Sequence, residues 1–196
     1  MPITTDVELR AAAEQAGTLL QEIQNYVGRN PNQNAQVRFP RGFIRTAAVQ
    51  RARLGFVADD ILKTNLSYAL MLSDVIYWMM LRTDIATTAK DMLVKLYISL
   101  GGNMIESITK EYLHGICGRS FKRRSTYLVD AGVLPADLKI EIDWVWDMRN
   151  NMHLFDLEAT EYENEYTVES HNRCTAAFKA LLDALNHKGR LVPEHL

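Results

Sequence analysis

Trp144-Val145-Trp146-Asp147-Met148-Arg149-Asn150-Asn151-Met152-His153 joins an apolar helix face to an arginine and a histidine. It sits in the second half of an amphipathic helix. Leu138, Ile142 and Trp146 are spaced by four and mark one face, with Val145 beside them. Steps of three and then four residues along that face reach Arg149 and His153. A long cation and an imidazole are costly to bury unpaired. The packing stripe must therefore open there onto a cleft, a partner or a ligand. The rest of the chain is scaffold around that exception.

Outward from this helix the pattern is helical in both directions. Pro135 suits its first turn, and the helix is expected to reach about Met152. Upstream, Ser120–Ala131 reads as a basic helix closed by Gly132. Asp84–Leu100 reads as a helix that stops at Gly101-Gly102, and Asn103 as the cap of another that runs to about Cys117. Asp59 or Asp60 opens the longest apolar helix, to about Leu81. A short helix is expected over about Phe43–Leu54. The first helix spans Asp6–Val27, with Asp6 as cap, Gly28 as stop, and Leu9, Ala13, Ala16, Leu20, Ile23 and Val27 as its stripe. Downstream, Thr167 caps a last long helix that ends at His187-Lys188-Gly189. The expected class is all-α: an antiparallel helical bundle with short turns. Residues 1–57 read as an N-terminal helical extension carrying an Arg-rich loop, and 58–196 as the bundle, together one compact unit.

Composition narrows the function classes. The 196 residues are 47% apolar with a net charge of −2, ordinary for a folded soluble protein. Two cysteines, Cys117 and Cys174, make no disulfide framework, so a reducing, cytoplasmic compartment is expected. No apolar run follows a basic start, so no signal peptide is read. The most apolar window, Leu66–Leu81, is broken by Ser67, Ser73 and Asp74 and falls short of the roughly 20 residues a membrane span needs. There is no Walker loop, dinucleotide fingerprint, nucleophile elbow or His-Glu-x-x-His site. No cofactor is implied.

Charge is unevenly spread. Between Ile23 and Ala58 there is no Asp or Glu, but Arg29, Arg38, Arg41, Arg45, Arg51 and Arg53 are present. Phe39, Phe43 and Phe56 interleave with them, a pattern that suits single-stranded RNA through phosphate contact and base stacking. A solvated loop with Phe residues packed on the bundle reads equally from the same pattern, as does pairing with the acidic segment Asp156–Glu169. Arg119, Lys122, Arg123 and Arg124 form a second basic cluster, expected on the exposed face of its helix. His114/Cys117 and His171/Cys174 share His-x-x-Cys spacing and together would make four zinc ligands if the fold brought them together. Incidental histidines beside packed thiols are the plainer reading.

At Arg149-Asn150-Asn151-Met152-His153 the chain resembles the HEPN superfamily of helical-bundle proteins. HEPN ribonucleases carry an Arg, usually a polar residue such as Asn after it, and a His a few residues on. The long apolar helix before the motif, the upstream Trp and the last helix with Ala176, Ala177, Leu181, Leu182 and Leu185 agree with the resemblance, which covers roughly 58–188. Three residues separate Arg149 from His153, where the strict family pattern has four to six. Three gives an i, i+4 spacing on one helix face.

The resemblance implies a metal-independent endoribonuclease, in a toxin–antitoxin or anti-phage setting. Its chemistry needs a base of near-neutral pKa to activate the ribose 2′-hydroxyl, a role for His153. It also needs a fixed cation on the scissile phosphate, a role for Arg149, with Asn150 orienting the phosphate or the His. Arg38, Arg41, Arg45, Arg119 and Arg123 are the candidate RNA contacts. HEPN ribonucleases pair two motifs across a dimer, so a homodimer is expected. The alternatives are a non-catalytic HEPN module that binds RNA or nucleotide or assembles with an antitoxin or nucleotidyltransferase-type partner, and an interaction protein whose dimer face merely contains the motif.

Overall fold

A computed structural model describes residues 2–151 and 166–189, and every helix and strand position among them is helical. The protein is all-α. The chain divides into two compact units, Met1–Arg41 and Gly42–Leu196.

The first unit holds α1 (Asp6–Val27) and a single 3-10 turn at Gln33–Ala35. The cap of α1 lies one residue earlier than expected. Thr5 is the N-cap, and a capping box joins it to Glu8: the Thr5 hydroxyl accepts the Glu8 N–H, and the Glu8 carboxylate accepts the Thr5 N–H. Asp6 instead places its charge in the first turn, where the helix dipole favours it. Gly28 ends the helix at φ +59°, a conformation a side chain would oppose. The expected apolar stripe exists, but α1 buries none of its residues.

The second unit contains α2 (Ala47–Ala52), α3 (Asp60–Arg82), α4 (Thr87–Tyr112), α5 (Phe121–Asp130), α6 (Ala136–Asn150) and α7 (Val168–Lys188). Phe43–Val57 therefore belongs with the bundle, and Leu54, Phe56 and Val57 lie in its core. α4 is the central element, packed against α3, α5, α6 and α7. Its buried side chains Val94, Ile98, Ile105 and Ile108 meet Ile142 and Val145 of α6 and Leu181 and Leu185 of α7 in one hydrophobic cluster. Each such side chain contributes about 1.5–3 kcal/mol when fully buried.

The largest departure from the sequence reading is in α4. The expected break at Gly101-Gly102 does not occur: one helix of 26 residues runs straight through both glycines. They serve packing, not termination. A Cβ on Gly101 would come within 2.9 Å of the Cys174 sulfur, and one on Gly102 within 2.6 Å of the Arg149 Cβ. Two helices, α6 and α7, approach α4 so closely here that only glycine fits. The helical cost of glycine, roughly 1 kcal/mol each against alanine, is offset by that close approach.

α4 also begins at Thr87, not Asp84, and ends at Tyr112, short of the expected Cys117, whereas the starts of α3 and α7 follow the sequence. Asp59 caps α3 by accepting the N–H groups of Ile61 and Leu62, and Thr167 caps α7 through Ser170. Glu111 of α4 adds a long-range tie, its Oε1 accepting the Ala58 N–H at 2.7 Å. α2 is shorter than expected, at six residues. No helix among the described residues is long and apolar enough to cross a membrane.

Candidate functional site

α6 presents Leu138, Ile142 and Val145 to the core. Arg149 follows Val145 by four residues and lies on the same side, over Gly102 of α4. It marks where the buried face reaches the surface: its side chain is 32% exposed. Three groups hold the guanidinium. Nε donates to Asn103 Oδ1 at 2.9 Å, Nη1 donates to Asn150 Oδ1 at 2.8 Å, and Nη1 stands 3.4 Å from Glu106 Oε2. The cation is thus fixed from two helices.

Asn103 is not a helix cap but a mid-α4 residue, one turn before Glu106 on the same face. Neither stands out in the sequence as a site residue, because Gly101-Gly102 beside them reads as a helix stop and hides their i, i+3 spacing. Asn150 accepts from Arg149, a bond distinct from the roles expected of it toward the phosphate or His153. His153 lies outside the described residues, as does the acidic segment up to residue 165.

The basic cluster of α5 flanks this site. α5 packs on α6, and Lys122 Nζ reaches Asp147 Oδ2 at 2.6 Å, two residues before Arg149. Trp146 stacks on Phe121 of α5 at 5.3 Å, with Lys122 Nζ 5.5 Å from its centroid. Arg119 and Arg123 are exposed. Arg124 corrects the expectation of a uniformly solvated face. It is only 2% exposed, its Nη1 donates to the Arg119 carbonyl at 2.5 Å, and its Nε and Nη2 have no hydrogen-bond partner among the described residues. Burial pushes its pKa down, opposed by the charge of Glu106.

The remaining candidate RNA contacts lie elsewhere. Arg38 and Arg41 are exposed in the first unit. Arg45 is held by Asp74, a buried carboxylate of α3. The Arg45 backbone N–H and Nε both donate to Asp74 Oδ2, at 2.9 and 3.1 Å, and Nη2 donates to Oδ1 at 2.5 Å. Buried Gln50 donates to the same Oδ2 at 3.2 Å and accepts from Arg53 at 2.7 Å. The bond to Asp74 holds the Arg45 guanidinium above its usual pKa. Arg45 thus joins the segment before α2 to α3, and its outer edge remains open at 46% exposure.

The zinc arrangement does not form. Among the described residues, no three His, Cys, Asp or Glu side chains gather to hold a metal. His114 is exposed beyond the end of α4. Cys174 is buried against Gly101, and burial pushes its thiol up to about 12. Trp144, Trp146, Met80 and Met148 pack on the hydrophobic cluster, whereas Tyr77 is exposed.

No family model matches the chain, and no match was found among curated proteins or solved structures.

Proposed function

We propose that this chain is a HEPN-type endoribonuclease that cleaves RNA without a metal at an Arg/His site, acting as a homodimer. The observation that carries the reading is the setting of Arg149. A guanidinium leaves the buried face of α6, is fixed by Asn103 and Asn150, and keeps about a third of its surface open. A cation held in place before substrate arrives costs little to reorganise when charge develops on a phosphorane. Basic α5 beside it supplies a surface that attracts RNA backbone, with Arg119 and Arg123 as contacts. His153, four residues past Arg149, is the proton-transfer group. One Arg–His pair supplies one such group, and a second motif across a two-fold axis supplies the other. The toxin–antitoxin or anti-phage setting comes from the resemblance to HEPN proteins.

One observation favours the second reading, a non-catalytic HEPN module that binds RNA or nucleotide or assembles with a partner. Glu106 Oε2 lies 3.4 Å from Arg149 and competes with any phosphate for it. Cleavage assays separate the two. Under the ribonuclease reading, His153→Ala abolishes RNA cleavage while RNA binding persists. Under the second, wild type binds RNA with steep salt dependence and cleaves none.

A further inference from the structure

A separate cavity of about 370 Å³ lies in the second unit, among α3, α4, α7 and the segment around α2. Its size falls in the range of small-molecule sites. Its walls are of two kinds. Leu70, Met104 and Phe178 are apolar, while Arg45, Arg53 and Lys179 bring three cations against the single carboxylate of Asp74. The charged lining is therefore net positive by two. Burial lowers the Arg53 pKa and the neighbouring charge of Arg45 lowers it further, while the carboxylates of Asp74 and Asp183 offset this only in part, so the two guanidiniums still repel across a partly desolvated space. An anion between them relieves both costs.

His171 lines the same cavity and is 3% exposed. Its ring is stacked on Tyr77 at 5.2 Å and tilted against Tyr97 at 4.3 Å. Its Nδ1 is 3.2 Å from Asn172 Oδ1, and its Nε2 has no hydrogen-bond partner among the described residues. An amide oxygen only accepts, so Nδ1 carries the proton and Nε2 is a buried lone pair with no donor. Burial lowers the His171 pKa, which keeps the ring neutral at physiological pH. A buried acceptor left unsatisfied is costly and calls for a donor from a bound molecule.

We propose that this cavity binds a small phosphomonoester with a hydroxylated body, a sugar phosphate or nucleotide, whose phosphate meets Arg45, Arg53 and Lys179 and whose hydroxyl donates to His171 Nε2. Arg45 already gives Nε and Nη2 to Asp74, so the phosphate meets its Nη1 together with Arg53 and Lys179, and three phosphate oxygens can serve three cations where a carboxylate has only one planar edge. The apolar wall takes the rest of the body. Of these residues only Arg45 is also a candidate RNA contact, and none belongs to the Arg149/His153 motif, so the proposal stands or falls independently of RNA cleavage.

The test is calorimetric titration of the full chain with inorganic phosphate, ribose 5-phosphate and AMP, alongside NMR of the His171 imidazole nitrogens. Ribose 5-phosphate or AMP is expected to bind one per chain and to shift the Nε2 resonance. Which of the two binds more tightly distinguishes a sugar-phosphate from a nucleotide ligand. Exposed Lys179 is safe to change, and Lys179→Met is expected to weaken binding about 10-fold, a charge-assisted hydrogen bond's worth. His171→Phe keeps the ring stacking and is expected to weaken the hydroxylated ligands while leaving inorganic phosphate unaffected. Three results would overturn the proposal: no binding of any probe at millimolar concentration, inorganic phosphate binding as tightly as the two esters, or affinities unchanged in folded Lys179→Met.

Discussion

Gly102 of α4 leaves the space that Arg149 of α6 occupies: a side chain at 102 would bring its Cβ to 2.6 Å from the Arg149 Cβ and 3.0 Å from its Cγ. The two helices meet so closely that the candidate site depends on a glycine that the sequence alone reads as a helix break. Gly102→Ala therefore should destabilise the fold by about 1–3 kcal/mol, as overpacking does, and displace Arg149 from Asn103. Gly17 in α1 is the control, since a Cβ there meets nothing within 4 Å. Gly17→Ala should leave stability unchanged or raise it by about 0.5–1 kcal/mol. Thermal melts of both variants check the contrast, and equal behaviour would contradict the close-packing account.

The Asp74 network makes a second prediction. Asp74 is 5% exposed and accepts from Arg45 and Gln50. Arg45→Ala removes its counter-ion, and the partly open Arg side chain limits the loss to about 2–3 kcal/mol. Arg45→Ala and Asp74→Asn should be less than additive, because both break the same pair. A double-mutant cycle by denaturant unfolding measures the coupling. Full additivity would mean that the pair does not hold α3 to the segment before α2.

The pH dependence of stability follows from His171. Its folded pKa lies below the ordinary 6.5 because burial disfavours the charged ring, while Asn172 opposes that effect. The unfolded chain therefore takes up a proton as pH falls through about 6.5, and the folded chain resists it. His171 thus contributes stability that is present above the unfolded pKa and lost as pH drops toward the folded value. The melting temperature of wild type should fall more steeply between pH 7 and 5 than that of His171→Phe. Parallel profiles would show that His171 is not held neutral.

Cysteine reactivity offers a direct check of burial. Cys174 packs against Gly101, and its thiol is pushed up to about 12, so it is protonated across the ordinary pH range. Cys117, only partly buried, is open to reagent. A disulfide reagent at pH 8 should titrate one thiol in the native protein and two in denaturant. Two fast thiols in the native state would place Cys174 outside the core.

Much of the architecture was legible because it rests on local signals. Asp59, Thr167, Gly28 and Gly189 mark helix ends through caps whose chemistry is visible in the residue types themselves. The period-four face of α6 led directly to Arg149. What was hidden depends on chain segments far apart. Gly101-Gly102 reads as a stop signal when only neighbours are considered, and its purpose appears only once α6 and α7 arrive. For the same reason Asn103 reads as a cap and Glu106 as an ordinary surface carboxylate, although both hold Arg149. Arg124 sits in a basic run that suggests solvent, yet α5 turns it inward, where it is almost fully buried. Asp74 looked like a polar interruption of an apolar helix. Its partner Arg45 is 29 residues away, at a distance that no periodicity reports.

Glu106 tests how Arg149 is used. Its carboxylate shields the guanidinium at 3.4 Å. If Arg149 meets phosphate, Glu106→Gln should strengthen RNA binding about 3- to 10-fold at low salt, an advantage that fades as salt rises. Fluorescence anisotropy with a single-stranded RNA measures this. Weaker binding in the variant would mean that Glu106 positions Arg149 for a role other than phosphate contact.

Cleavage of a mixed RNA pool in excess EDTA by wild type, Arg149→Ala and His153→Ala tests the Arg/His site itself. Metal-free attack of the 2′-hydroxyl leaves 2′,3′-cyclic phosphate ends. Cleavage by wild type with such ends, reduced at least about 100-fold by either substitution, is the predicted result. Intact RNA with a well-folded wild-type protein, or cleavage that survives both substitutions, would contradict it.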